Sequence, residues 1–242
     1  EGIALWLQAL ELARDIGDRR RQAVLQLNIG EAQYRLRNAD DALRILLEVE
    51  PLCHELGDRI LLAEARRALG KAHFLRGDIA TALRYLEQAV EGFEQVRSKV
   101  HLGIAQRSLA EVLAVFGPES PEGHRAEALF RGALGLFREL GAEIEYARTA
   151  RTLADFLSSA PEGVVSEAAF AEAEGLRAQA DSIYARLRTV GADAHGPGPS
   201  ITATNPGIKR ASLVEDLGAR SSVSPGEVLD HPTPPEGHAA GR

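Results

Sequence analysis

The sequence predicts an all-α chain built as a solenoid of antiparallel helix pairs, and three observations point to it. An internal repeat runs along the chain. Gly30 and Gly70 lie 40 residues apart, as do Tyr34 and Phe74, Ala42 and Ala82, and Leu46 and Leu86, and Ala110 extends the first series. Within one unit, apolar or small residues fall at three-and-four spacing on both sides of a break. Leu62, Ala65, Leu69, Ala72 and Phe74 precede Gly77-Asp78, and Ala82, Leu83, Leu86, Ala89, Val90 and Phe93 follow it. Gly77 suits a helix end in the left-handed conformation, and Asp78 suits the cap of the next helix. The composition agrees: 45% apolar, 26% charged and only 5% aromatic residues, with Ala, Leu, Arg and Glu dominant, as closely packed helices require.

Taken in order, residues 1–18 read as a half repeat. Gly2, Trp6 and Ala9 align with Ala42, Leu46 and Val49, so the chain enters at the second helix of a unit, with Ile3, Trp6, Leu7, Leu10 and Leu12 apolar. There is no Met and the first residue is Glu1. Together with the register, this leads to the expectation of a longer polypeptide whose upstream helix covers the Ile3, Trp6, Leu7 and Leu10 surface. The second unit, 19–58, carries Ala23, Leu27, Gly30 and Tyr34, then Ala42, Leu43, Leu46, Val49 and Leu52. Its inner turn lacks Gly, and Asn38 is expected to take the left-handed conformation there.

The unit 59–98 is the clearest copy. In 99–142 the register holds at Gly103, Leu109 and Ala110, then slips by four residues. The extra residues fall in Gly117-Pro118-Glu119-Ser120-Pro121-Glu122-Gly123, a stretch expected to stay out of helix, before Ala126, Phe130, Ala133 and Phe137 resume the pattern. In 143–190, Ala147, Leu153 and Ala154 match, Ala160-Pro161-Glu162-Gly163 makes the turn, and a long helix runs from Ser166 through Phe170, Ala173, Leu176, Ala180, Ile183, Tyr184 and Leu187. Its polar outer face suits the closing helix of a stack. Residues 191–242, punctuated by Pro and Gly and without aromatics, read as a disordered tail in which only Ile208–Leu217 has helix character.

One helical hairpin cannot bury enough apolar surface to offset ordering its backbone at roughly 1–2 kcal/mol per residue, so each pair must pack on the next. Small residues at Gly30, Gly70, Ala110 and Ala154 let helices approach. Leu46, Leu86, Phe130 and Phe170 are expected to fill the space.

The pattern LG-x-A-x-F…GD…A-x-x-x-L-x-x-A…F resembles the tetratricopeptide repeat, in a longer form of about forty residues per unit. That resemblance implies a right-handed superhelix whose first helices line a concave surface where partners bind. Carried onto this sequence, the surface shows Asn28, Glu31, Glu64, Arg67, Lys71, Arg107, Glu111, Arg148, Arg151 and Asp155. Of these, Asn28, Glu31, Arg67, Lys71, Arg107, Glu111, Arg148 and Arg151 are the candidate partner-binding residues. The Lys/Asn/Arg arrangement with which some members clamp a terminal carboxylate is not reproduced, because Ala68 stands where a second Asn is needed. Basic residues modestly outnumber acidic ones, which favours an acidic peptide segment. The ELGD and FRELG linkers resemble those of large bacterial regulators, where such repeats follow a Ser/Thr kinase or signalling ATPase. The resemblance therefore implies a non-catalytic protein- or peptide-binding scaffold in signal transduction, with a receptor for a small signalling peptide as the alternative.

Other classes are disfavoured. The net charge of −7 argues against nonspecific nucleic-acid binding. No apolar run is long enough for a membrane span and no signal peptide opens the chain, so a cytoplasmic setting is expected. The single cysteine excludes an internal disulfide framework. Gly70-Lys71 lacks both the first Gly and the Ser or Thr of a phosphate-binding loop and sits inside a helix. Cys53 and His54 are adjacent on a helix and point apart, and the other histidines lack ligand spacing, so neither metal nor cofactor is expected. Lys209-Arg210-Ala211-Ser212 resembles a basophilic kinase site.

Overall fold

The structure, a computed structural model, describes residues 2–159 and 167–189. The described residues form nine α-helices: α1 (Gly2–Asp15), α2 (Arg19–Arg35), α3 (Ala39–Leu56), α4 (Arg59–Arg76), α5 (Ile79–Gln95), α6 (Lys99–Leu113), α7 (Pro121–Glu139), α8 (Glu143–Leu157) and α9 (Glu167–Thr189). A short 3-10 turn, Ala114–Phe116, extends α6. Every helix packs on the ones before and after it, and the first helices of successive pairs also touch, α2 on α4, α4 on α6 and α6 on α8. This is an all-α, tetratricopeptide-like solenoid.

The turns explain how little linker it needs. After α1, α3, α4 and α7, one glycine (Gly17, Gly57, Gly77 or Gly141) takes a positive φ, and after α2 and α5 Arg37 and Arg97 do the same. The next residue donates its backbone N–H back to the finished helix, as Asp58 does to the Cys53 carbonyl at 3.2 Å and Asn38 to that of Gln33 at 2.9 Å. That residue also starts the following helix. Asp18, Asp58 and Asp78 accept from the amides of Arg21, Leu61 and Thr81 at 2.9, 3.0 and 3.2 Å. One residue thus closes a helix and caps the next. It is Arg37 (φ 66), not Asn38 (φ −91), that adopts the left-handed conformation; Asn38 already starts α3, its carbonyl accepting from the Ala42 amide at 3.0 Å while its side chain caps nothing.

Both Arg37 and Arg97 are exposed, so their positive φ is uncompensated by burial. Replacing each with Gly is expected to stabilise the fold by about 1 kcal/mol, the order of the penalty for a non-glycine residue there. Urea midpoints of the two single variants check it, and a loss at either position would mean that the arginine is held by more than its backbone.

Between helices, small meets large as the repeat requires. A Cβ on Gly30 would lie 2.6 Å from Leu46, one on Gly70 2.6 Å from Leu86, and one on Gly103 2.8 Å from Phe137. Phe93, Phe130, Phe137 and Phe156 are fully buried, each contributing roughly 1.5–3 kcal/mol relative to exposure. Phe170 departs from expectation: it is 56% exposed, and Phe156 on α8 meets Phe130 instead, ring centroids 6.1 Å apart. α9 lies so that Ala173, Leu176, Ala180 and Tyr184 are its buried residues. The four-residue insertion also resolves differently. Pro121 and Gly123 are not kept out of helix: Ser120 caps α7 and Pro121 begins it, where its missing N–H costs nothing.

On α1, Leu10 and Ala13 are buried and Trp6 is half-buried, while Leu5, Leu12 and Ile16 are exposed on its flank. The turn at Ala160-Pro161-Glu162-Gly163, Ser166, the segment 191–242 with its Ile208–Leu217 stretch, and the Lys209–Ser212 motif lie outside the described residues.

Candidate partner-binding groove

The candidate side chains sit on α2, α4, α6 and α8, the helices that touch across successive pairs. Arg67 is central. Its position among Ala63, Ala65 and Ala68 leaves it only 8% exposed. Its guanidinium donates to Glu31 of α2 at 2.6 Å and to Glu64 one turn earlier at 2.7 Å. Burial alone would raise the Glu31 carboxyl, but Arg67 and Lys71 outweigh it and hold the group below the usual carboxylate range. Arg67 is thus a two-carboxylate bridge between neighbouring units.

Lys71, one turn on, has no such partner. Its ammonium lies 4.5 Å over the Tyr34 ring, and no carboxylate among the described residues is within ion-pair distance. Burial, then the Arg67 charge, pushes it down to about 8. The repeat shows what is unusual here. Glu31 and Arg67 form an ion pair; 40 residues on, the equivalent positions hold Lys71 and Arg107, two cations. Arg107 turns away to Glu145 of α8 at 2.7 Å, with its Nε 3.9 Å from Glu111. Burial pushes the Glu111 carboxyl up, towards its neutral form.

Farther along, Arg148 bonds Glu145 at 2.9 Å, and Arg151 pairs with Asp181 of α9 while its guanidinium lies 5.5 Å over the Tyr184 ring. Asn28 is half-buried on α2 and enters none of these bonds. The structure therefore brings Glu31, Arg67 and Lys71 together on α2 and α4, joins Arg107 and Arg148 through their shared Glu145 with Glu111 beside Arg107, and pairs Arg151 with α9. The residues that sequence reasoning did not assign to the face are Tyr34, Glu145, Asp181 and Tyr184. Tyr34 was visible only as the repeat partner of Phe74, and the α9 residues had no repeat counterpart to mark them.

Cys53 lies off this face on α3, buried, with its thiol pushed up to about 11 by that burial, while His54 beside it is exposed. Among the described residues no cluster of His, Cys, Asp or Glu is arranged to hold a metal ion, and no helix is long and apolar enough to cross a membrane. Among the described residues the face offers paired charge and the Lys71 ammonium on an aromatic platform.

Residues 21–95 match the family model described as tetratricopeptide repeat. Among solved structures, the chain is similar to a Rap protein complexed with Competence and Sporulation Factor, at 17% identity and TM-score 0.59, covering 79% of this chain and 58% of that one. It is also similar to BtubC (BKLC) from P. vanneervenii, at 16% identity and TM-score 0.59, covering 98% of this chain and 97% of that one. At such identities the likeness is one of fold. This chain spans 58% of the length of the Rap protein. No curated protein matches it in sequence.

Proposed function

We infer that this chain, tetratricopeptide repeat by sequence over residues 21–95 and of the same fold through its described helices, is a protein-binding scaffold whose α2, α4, α6 and α8 face takes an extended acidic segment. One observation carries the reading: Lys71, on its Tyr34 platform, and Arg107 occupy the positions at which the preceding unit has the Glu31–Arg67 ion pair. A partner's carboxylate supplies the charge that the repeat otherwise places there. The same partner favours the ammonium form of Lys71, which burial and the Arg67 charge weaken. Arg67 and Arg107, already bonded to Glu31, Glu64 and Glu145, position the face rather than meet the partner. The narrower form of this reading is the regulatory part or peptide receptor of a larger signalling protein, supported by the ELGD and FRELG linkers and by the fold shared with the Rap protein.

The test is calorimetric titration with an extended peptide of alternating Glu and Gly and its Gln counterpart. The Glu peptide is expected to bind more tightly, with a difference that shrinks at high salt. Lys71→Ala is expected to remove about tenfold of that affinity, the order of one hydrogen bond to a charged group. Equal binding of the two peptides would remove the acidic preference, and an unaltered Lys71→Ala would move the partner off this face.

A further inference from the structure

The residue that opens each first helix recurs: Arg19, Arg59 and Lys99 lie 40 residues apart, and Glu143 follows after the four-residue insertion. In three of these four places it is tied to the helix that follows. Arg19 pairs with Glu55, Lys99 with Glu139, and Glu143 with Arg186 at 2.6 Å, the signs exchanged. In the unit 59–98 the equivalent residues are Arg59 and Gln95, and an amide cannot balance the charge of a guanidinium. Gln95 donates to Glu91 instead, at 3.1 Å, and Arg59 has no ion pair among the described residues. One turn before Gln95, Gly92 stands where the units before and after have Leu52 and Leu136.

A cavity of about 300 Å³ opens at this place, lined from α3, α4 and α5. Gly92 shapes it. An added Cβ there would lie 3.0 Å from the Ala63 Cβ, so α5 comes close to α4 and sends no side chain into the space from this position. Cys53, Leu62 and Ala63 give the cavity an apolar wall, and the exposed Arg59 and Gln95 stand in its lining, so it is reached from solvent. The other charges in the lining are already answered. Asp58 accepts from Arg20 at 3.1 Å and from the Leu61 amide, and Arg66 donates to Glu50 at 2.9 Å, with its Nη2 3.5 Å from His54 Nε2. Compared with the units on either side, this one lacks a carboxylate and an isobutyl group, one helical turn apart on the same helix. The volume stands at the low end for ligand pockets and suits a small molecule rather than a peptide chain.

We propose that this cavity binds a small branched aliphatic carboxylic acid, its carboxylate on the Arg59 guanidinium and its hydrocarbon end against Leu62, Ala63 and Gly92. The bound acid supplies the two groups that Leu52 and Glu55 contribute in one adjoining unit and Leu136 and Glu139 in the other. A guanidinium offers a carboxylate parallel N–H donors, and such charge-assisted bonds are roughly twice as strong as neutral ones. The site is independent of the acidic-segment reading above, since Lys71 does not line the cavity.

Amide correlation spectra of the full chain test it. Isocaproate is the probe, isocaproamide its uncharged match, and acetate the carboxylate without the hydrocarbon. The Gly92 amide and the Gln95 side-chain signals are expected to move saturably with isocaproate, while the amides of Leu136 and Glu139 in the next unit stay in place. Isocaproamide and acetate should each bind about tenfold or more weakly. Gln95→Glu, which installs the carboxylate of the adjoining units, should abolish binding without lowering the melting temperature. Arg59→Gln should weaken binding about tenfold. Both positions are exposed, so neither change disturbs the core. Lys71→Ala should leave the titration unaltered. A Gly92 signal that does not shift saturably, equal affinity for acid and amide, or a Gln95→Glu protein that binds as the wild type does overturns the site. So does a titration lost in Lys71→Ala, which would move the acid to the inner face.

Discussion

Replacing Gly123 with alanine should destabilise the stack by about 3 kcal/mol or more, the upper end for an inserted methyl group. A Cβ there would lie 1.9 Å from the Gly117 carbonyl oxygen, 2.8 Å from the Gly117 carbonyl carbon and 3.0 Å from that of Pro118. All three are backbone atoms, so no rotamer change relieves the contact. Gly117 is itself fixed at φ 89 by the turn. The other close glycines differ in what they touch. Gly30 faces only the Leu46 side chain, which can move, and Gly70 faces Leu86 together with the Ala82 carbonyl oxygen at 3.0 Å. The expected order of loss is therefore Gly123→Ala, then Gly70→Ala, then Gly30→Ala. Gly135→Ala, with nothing within 4 Å and a position inside α7, should gain roughly 0.5–1 kcal/mol. Guanidinium melts of the four variants establish the ranking, and a Gly123→Ala protein as stable as Gly30→Ala would refute the clash.

The second large effect is expected at Arg67. Arg67→Met should cost about 3–5 kcal/mol, because it strands Glu31 and Glu64 in a half-buried setting with their shared cation gone. Adding Glu31→Gln should recover part of that loss, a coupling that a double-mutant cycle measures directly. The pair also sets an acid limit. The Glu31 carboxyl is held below its ordinary value in the folded chain, so its contribution is fully present above the unfolded value of 4.5 and is lost as pH falls through the lower folded value. Glu31→Gln should flatten this part of the acid-side decline in stability. A wild type and Glu31→Gln that decline in parallel below pH 4.5 would show that the Arg67 bridge contributes nothing to acid unfolding.

The parts of this molecule that were readable from residue order are those fixed by volume. Gly30 against Leu46 and Gly70 against Leu86 recur because one side chain must vanish where another enters, and such pairs leave a period in the sequence. The turns were readable for a related reason: a residue with positive φ followed by a capping residue is a two-letter requirement. What resisted reading was charge. Arg67 looks like any exposed helix arginine, and its burial depends on Glu31, a residue 36 positions earlier on another helix. Phe170 is exposed where the repeat register implied a buried residue, and Tyr184 is buried, because no later unit among the described residues packs on α9. Arg37 took the place expected of Asn38 because the next helix already begins at position 38, whose carbonyl accepts from the Ala42 amide, so the positive φ falls one residue earlier.

The lone tryptophan has a practical bearing on every melt described above. Trp6 is half-buried on α1, the first of the described helices, in a stack in which each unit holds mainly to its neighbours. Its emission therefore reports the fate of the α1 region, whereas far-ultraviolet ellipticity averages over all the helices. In a quasi-one-dimensional array the two signals coincide only if unfolding propagates along the whole array as one event. The separation between the two curves is thus a ruler for how many units melt together, built into the chain by the position of a single indole ring.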